Sequence, residues 1–528
     1  MTPSLSTSAT AAGNEVDRGP RLAILATVVL FLALALFGWR YHWVEEAGTA
    51  ERDGYVAQAE QILHGGLPHD PFRPPLYPLL TAGLALLGIE PFTAARLLSN
   101  LAAAVLAGLA YWTARRLSGP TAGAWALALI AVNPNLWILG QHVTTDMLFA
   151  ALGAAALAAG LAYLTAPGLR PALAAGAAFA LAAFTRGNAV FLLPALLVAW
   201  WLAPGSRRGR LTHLGGAALV IILLLLPQWA LRWAAFGDPF HDENWKNLAW
   251  KLHGYPDWSY LDRVPFRSGF AVLADDPGAV VRGGIAELAR FATGGLPQLL
   301  GTWPHVLLFA LGSAYALRRK TRPAAWLLFA GATFLAAVAF SFFTWGRFFL
   351  LLLPASYALA FAPWDGAFER APMDRPSGVA PWLFRLAPPA IALALVLLLA
   401  VKAFAFRLPD FVGRHPYREV TALRRLDERL PPSARLAGTS PFLGRYLRHG
   451  YFYVPDAFGP EVADPGLYFR RLRPLLAGAG AAYLVVGGED LRERPRSLLG
   501  PRPPVDWLEP VARSGAVAVW RVRPSAGG

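Results

Sequence analysis

Two carboxylates and three arginines stand where apolar runs give way to short polar stretches, in a chain of which only 15% is charged. Asp53 lies in ERDGYVAQAEQILHGGLPHDPFRPPLYP, residues 51–78, a stretch too polar to cross a bilayer, and Arg73 lies towards its other end. Asp146 follows two threonines at the start of an apolar run. Arg186 and Arg347 occupy the short breaks Thr185-Arg186-Gly187-Asn188 and Trp345-Gly346-Arg347. A carboxylate so placed can take a proton from a reacting group, and guanidinium groups bind phosphate through paired N–H donors.

Each position also has a plainer reading. Asp53 and Asp146 suit the caps or first turns of helices, and a single arginine at a membrane surface can extend to lipid headgroups. An acid at the edge of a span is costly, which favours a working role for Asp146. Three arginines on one side of a membrane, against the usual basic bias, favour a phosphate clamp in at least one of them. Arg96, inside an apolar run, reads as structural.

The elements that position these residues follow from composition. The chain has 528 residues, 55% of them hydrophobic, whereas soluble proteins carry about 25% charged residues. This is the profile of an α-helical polytopic membrane protein. Taking about 20 residues per span, eleven spans are expected: 21–39, 91–114, 121–139, 144–165, 171–185, 187–204, 212–233, 297–317, 324–344, 347–363 and 387–406. The break at Thr185 to Asn188 reads either as a tight turn or as an interruption of one long helix. The basic clusters Arg115-Arg116, Arg207-Arg208-Arg210 and Arg318-Arg319-Lys320-Arg322 fall on one side if the N-terminus is cytoplasmic. The same count puts loops 40–90 and 234–296, the turns at Arg186 and Arg347, and everything after Phe406 on the outer side. The net charge of +15 therefore reads as an orientation signal and not as a nucleic-acid footprint. Cysteine is absent, which excludes disulfides and thiolate metal sites.

Residues 1–20 are small, polar and expected to be a disordered cytoplasmic segment, followed by a retained signal anchor. In the opening stretch Val56, Ala59, Ile62 and Leu63 recur at helical spacing. They predict an amphipathic helix along the membrane surface, closed by Gly65-Gly66 and followed by a turn at Pro74-Pro75. The 234–296 loop mixes aromatic and charged residues around a helix expected from 277 to 291. Its acidic cluster, Asp238, His241, Asp242 and Glu243, reads first as a solvated face. Residues 21–407 form the membrane core, and from 408 to 528 the pattern becomes that of a small outer α/β domain. Its strands are expected at 434–438, 451–454, 481–486 and 517–523, with helices at 418–430, near 442–447 and at 467–476. His64, His69 and His142 match no metal-ligand spacing, so no cofactor is expected, a divalent metal being the less favoured alternative.

The order of these features resembles the glycosyltransferase superfamily C. The quoted residues are the first outer Asp followed by Y-x-x-x-A, the PPLYPLL segment, AARLLSNLAAAVLAGLAYWTARRLSG, NPNLWILGQHVTTDMLFAALG and FTRGNAVFLLP. Within that superfamily the chain is most similar to the bacterial protein O-mannosyltransferase-like and lipid A aminoarabinose transferase-like branch. The similarity covers roughly residues 20–365 and extends to the C-terminal domain only in general character. It implies a multi-pass enzyme of the inner membrane that moves a sugar from a polyprenyl-phosphate donor to a lipid, polysaccharide or protein acceptor on the outer face. It further implies that Asp53 is the first-loop acid, Asp146 the second site acid and Arg73 the cation near the lipid phosphate; Tyr77, and Arg186 and Arg347 from their outer-side turns, join Arg73 as the expected substrate-binding residues. The family often carries an Asp-Glu pair at the first position. Here Asp53 precedes Gly54, and Glu45, Glu46 and Glu51 upstream compete for its role. The rival reading, a transporter or lipid flippase, predicts inverted repeats and polar residues near the bilayer midplane. Neither is evident in this chain. A catalytically dead relative would lack the outer acids, which are present.

Overall fold

The computed structural model of the 528-residue chain describes residues 19–42, 54–68, 70, 72–253, 265–364, 381–413, 427–428, 430–438, 450–454, 464–487, 498, 500–514 and 517–523. Inside a bilayer every backbone N–H and C=O must bond within its own segment, so the apolar runs fold as helices. Six are long and apolar enough to cross a membrane: Gly19–Arg40, Pro91–Ser118, Thr145–Thr165, Arg207–Phe236, Arg322–Ser341 and Ala387–Val412. Two further pairs qualify only when joined across a bend, Pro120–Ala131 with Pro134–Gly140 at 55° and Pro277–Leu300 with Trp303–Arg318 at 102°. The other three of the eleven expected spans are shorter apolar helices, Leu169–Thr185, Gly187–Leu202 and Gly346–Ala360. Among the described residues, six helices, or up to eight if each bent pair is one span, meet the length and composition of a crossing, and these three shorter apolar helices make up the rest of the eleven expected.

The bends have local causes. Pro134 sits at the first turn of its helix behind Asn133, whose side chain caps that turn and donates to the Leu299 carbonyl (3.0 Å) and to the Tyr357 hydroxyl (2.9 Å). At the sharper bend Gly301 has φ +102°, a conformation that side chains disfavour.

The break at Arg186 is a reversal. Arg186 is extended, a 3-10 turn Gly187–Leu192 follows, and the helix Leu193–Leu202 runs back. At the far end Arg116 Nε donates to Thr165 Oγ1 (2.7 Å), Arg210 Nη1 donates to the Ala203 carbonyl (2.9 Å), and the Tyr163 and Trp200 rings lie 6.4 Å apart. The basic clusters thus gather at the end of the bundle opposite Asp146 and Arg186. That is the segregation expected from the loop charges.

Small residues set the helix spacing. The spans Pro91–Ser118 and Thr145–Thr165 are each 72% buried in their apolar windows and are dominated by alanine. At Gly312 a Cβ would lie 2.1 Å from the Leu359 carbonyl oxygen, so the helix Trp303–Arg318 touches backbone there. Gly312→Val is expected to lower stability by at least about 1–3 kcal/mol, the usual range for overpacking. Thermal unfolding in detergent checks this, and an unchanged midpoint would refute the close packing.

Beyond the membrane core, the five strands β1 (Leu436–Gly438), β2 (Tyr451–Tyr453), β3 (Tyr483–Gly487), β4 (Leu508–Ser514) and β5 (Val517–Val522) form one sheet in the order β2-β1-β3-β5-β4. β1 pairs in parallel with β2 and β3, while β5 runs antiparallel to β3 and β4. The helix Pro465–Gly478 packs Tyr468, Phe469, Leu472 and Leu476 against Leu484, Val486 and Trp520. The four expected strands are present. β4 was not foreseen, because Pro510 and alternating charge mask its pattern. Most of the helix expected at 418–430, and all of that near 442–447, lie outside the described residues.

Candidate active site

Asp146 enters the first turn of the helix Thr145–Thr165. Thr144 is extended and is the N-cap, its Oγ1 accepting from the Asp146 amide (3.4 Å) and standing 3.0 Å from Asp146 Oδ2. The cap role is therefore Thr144's, and the Asp146 carboxylate is left for other partners. It is 2% exposed. Arg186 donates from Nη1 to Asp146 Oδ1, and Arg347 Nη1 lies 3.6 Å from Oδ2. Two guanidinium groups on one buried carboxylate leave a net positive charge, which suits an anionic ligand. Aromatic faces hold both cations in place. Arg186 lies over Phe348 (4.5 Å), and Arg347 lies over Phe348 (5.2 Å) and Trp345 (4.9 Å).

The stretch after Asp53 forms the adjoining wall. Its helix, Tyr55–Leu63, starts from Gly54 in the left-handed region (φ +68°) and buries Val56 and Ala59 of the four residues in the expected stripe, together with Tyr55, while Ile62 and Leu63 are only half-buried. Gly65 (φ +80°) and a bond from the Gly66 amide to the Gln61 carbonyl (2.8 Å) close it. The Tyr55 hydroxyl is 3.1 Å from Thr145 Oγ1, which ties this helix to the residue before Asp146. Arg73 lies over the Tyr55 ring (5.8 Å) and pairs with Asp70 (2.9 Å). Asp70 also accepts from the Phe72 and Arg73 amides and from Gln58 Nε2 (3.1 Å). Tyr77 packs edge-on to Tyr55 (5.4 Å), fully buried, with its hydroxyl donating to the Ala95 carbonyl (2.8 Å) and 2.9 Å from Ser99 Oγ. It supports this wall from behind.

Asp146, Arg186 and Arg347 thus converge directly, with Arg73 and Tyr77 joined to them through Tyr55. Asp53, Glu45, Glu46, Glu51 and His69 lie outside the described residues. Arg96 is buried over the Phe92 ring (5.9 Å), in keeping with a structural part. His64 Nδ1 is bonded to the Glu60 carbonyl oxygen (2.7 Å), and the His142 ring lies 5.8 Å from Phe411. Among the described residues no three His, Asp or Glu side chains gather as metal ligands would.

Sequence reasoning missed the network that supports these residues. Asp242, read as part of a solvated acidic face, stands 3.6 Å from the buried Arg232, and its Oδ1 accepts from the Asn244 amide (2.6 Å). Asn244 Nδ2 in turn donates to the Phe72 carbonyl (2.7 Å), beside Arg73. Glu243 pairs with Lys246 (2.6 Å). Asp70 was detectable, three residues before Arg73. The Asp242 to Phe72 link joins segments far apart in the chain and has no local signature. Arg347 also borders a cavity of about 330 Å³ lined by Asn135, Ile138, Leu299, Trp345 and Arg407, a mixture of apolar and cationic groups.

Residues 72–230, which include Arg73, Tyr77, Asp146 and Arg186, match the family model of dolichyl-phosphate-mannose-protein mannosyltransferase. That match spans under a third of the chain, and the fold as a whole is similar to those of solved membrane glycosyltransferases. The solved structure of ArnT from Cupriavidus metallidurans bound to undecaprenyl phosphate shares 18% identity at a TM-score of 0.55, over 93% of this chain and 97% of that one. The Archaeoglobus fulgidus oligosaccharyltransferase shares 15% identity at 0.57, over 91% and 70% of the respective chains. The arabinofuranosyltransferase AftD from Mycobacteria shares 16% at 0.50, over 97% and 42%. No curated protein sequence matches the chain significantly.

Proposed function

We propose that the protein transfers a sugar from a polyprenyl-phosphate donor to a hydroxyl of a lipid, glycan or protein acceptor at the outer face of the cytoplasmic membrane. The observation that carries this reading is the buried Asp146 held between Arg186 and Arg347 at the end of the bundle opposite the basic loops. Undecaprenyl phosphate in the ArnT structure supports the donor class.

In the proposed reaction Asp53 takes the proton of the acceptor hydroxyl, whose oxygen attacks C1 of the donor sugar. The bond from C1 to the phosphate oxygen breaks, its electron pair stays on the phosphate, and polyprenyl phosphate leaves. Arg186 and Arg347, oriented by Asp146 and by Phe348, meet the growing negative charge, and Arg73 extends that field from the adjoining wall. This sequence balances without a cofactor. The C-terminal sheet domain lies on the same outer side in this reading.

Transfer from a panel of polyprenyl-phosphate sugars in proteoliposomes tests the reaction, and no transfer from any of them would refute the donor class. The cysteine-free chain makes orientation simple to measure. Single cysteines near residues 53 and 450 are expected to react with an impermeant reagent from the outer side, and reaction only from the cytoplasmic side would invert the assignment.

A further inference from the structure

We propose that Glu287 is a positioning residue that sets where Arg347 stands against Asp146; this rests on reading Asp146, Arg186 and Arg347 as the site. Glu287 belongs to the helix Pro277–Arg290, in the long connection that follows the span Arg207–Phe236. From the same connection Asn244 holds the turn beside Arg73.

The inner face of the helix is Val280, Gly284 and Glu287, the buried residues at four- and three-residue spacing. Val281 and Ile285 on another face are half exposed or more. A carboxylate on the buried stripe of an otherwise apolar face is expensive unless its oxygens are used. Both are used, one on Thr344 and the other on Arg290. Glu287 Oε2 accepts from the Thr344 amide (2.8 Å) and lies 2.7 Å from the Thr344 hydroxyl, which is also 3.1 Å from the Glu287 carbonyl oxygen. The other oxygen, Oε1, pairs with Arg290. Thr344 is itself buried and directly precedes Trp345-Gly346-Arg347.

A close contact sets the distance of this helix from the neighbouring span, and a second helix is tied to the same span. At Gly284 a Cβ would fall 2.5 Å from the Phe340 ring, so only glycine lets the helix approach the end of the span Arg322–Ser341 this closely. Lys251, from the neighbouring helix Lys246–His253, donates to the Ala339 carbonyl. Beyond Thr344 the turn is stiff. Trp345 stacks on Phe343 (5.5 Å, 7° between planes) and on Phe348 (5.7 Å, 26°), and these rings carry the Arg347 guanidinium. Displacement at Thr344 therefore passes to Arg347 through a short, packed turn and not through a free loop.

The test combines kinetics with a reporter that needs no catalysis. Glu287→Leu is expected to lower kcat by about 10-fold, since misplacing a catalytic group by a fraction of an ångström has effects of this order. Glu287→Gln, which keeps an acceptor for the Thr344 amide, is expected to recover most of that loss. In an Arg347→Ala background, Glu287→Leu should add less than about two-fold, because residues acting through one another are not additive. In parallel, the thiol of Arg347→Cys is labelled with a methanethiosulfonate reagent, with Glu287 intact and with Glu287→Leu. The rate is expected to change several-fold. An unchanged labelling rate, or fully multiplicative kinetic losses, would overturn the inference about Glu287. Full activity of Arg347→Ala alone, with a labelling rate that does respond to Glu287, would instead overturn the reading of the site while leaving the mechanical link between Glu287 and the turn in place.

Discussion

Asp146→Asn is expected to lower sugar transfer by about 10²- to 10³-fold, the range seen when a preorganised charged group is lost from a site that stabilises developing charge. The carboxylate is 2% exposed and faces two guanidinium groups. With an amide in its place, Arg186 and Arg347 lose the anion that keeps them side by side, and their mutual repulsion moves them apart. Breaking a buried pair by removing one member also costs about 3–5 kcal/mol, so the variant should melt earlier in detergent. Stability and catalysis are separated by a compensating change. Asp146→Asn combined with Arg347→Gln removes one charge of each sign and is expected to regain part of the melting temperature while remaining inactive. Steady-state transfer rates and thermal unfolding of both variants are the measurements. Wild-type turnover in Asp146→Asn would remove Asp146 from the site.

Asp53→Asn is expected to have a comparable effect for a different reason. A positioned general base contributes about 10²- to 10⁴-fold, and its loss falls on kcat because proton removal belongs to the transition state. The affinity for donor should change little, since the phosphate is held by arginines. Asp53→Asn, Glu46→Gln and Glu51→Gln need to be measured side by side. The proposed role predicts a collapse of kcat in the first alone. Should Asp53→Asn turn over normally while a glutamate variant fails, the base is that glutamate and the departure from the family's Asp-Glu pair has moved the function upstream.

Much of the bundle was legible because hydropathy acts locally. The run 91–114 had to become a helix wherever it packed, and Pro91–Ser118 is that helix. The amphipathic helix after Asp53 was equally readable, from Val56 and Ala59 on one face and Gly65-Gly66 at its end. The span count was less so, because 171–185, 187–204 and 347–363 form helices shorter than the usual span and two other spans are bent pairs. Their length was visible, yet only the packing shows how they are held. Within the C-terminal domain, strand-like runs such as 481–486 declared themselves, while β4 did not.

The sequence by itself determined that this is a multi-pass membrane protein, and that acids and arginines gather in the polar breaks at one end of its apolar runs. Those are statements about single segments, governed by the cost of placing charge or unpaired backbone in hydrocarbon. Only the tertiary structure decided which residues meet. Arg186 and Arg347 reach the same carboxylate because the helix Thr145–Thr165 lies between the reversal at Arg186 and the turn after Thr344. Thr144, and not Asp146, takes the cap, and Glu287 and Asn244 reach back from a distant connection to hold the turns that carry Arg347 and Arg73. Such contacts depend on helix packing and on desolvation of several segments at once, and no spacing within one segment encodes them.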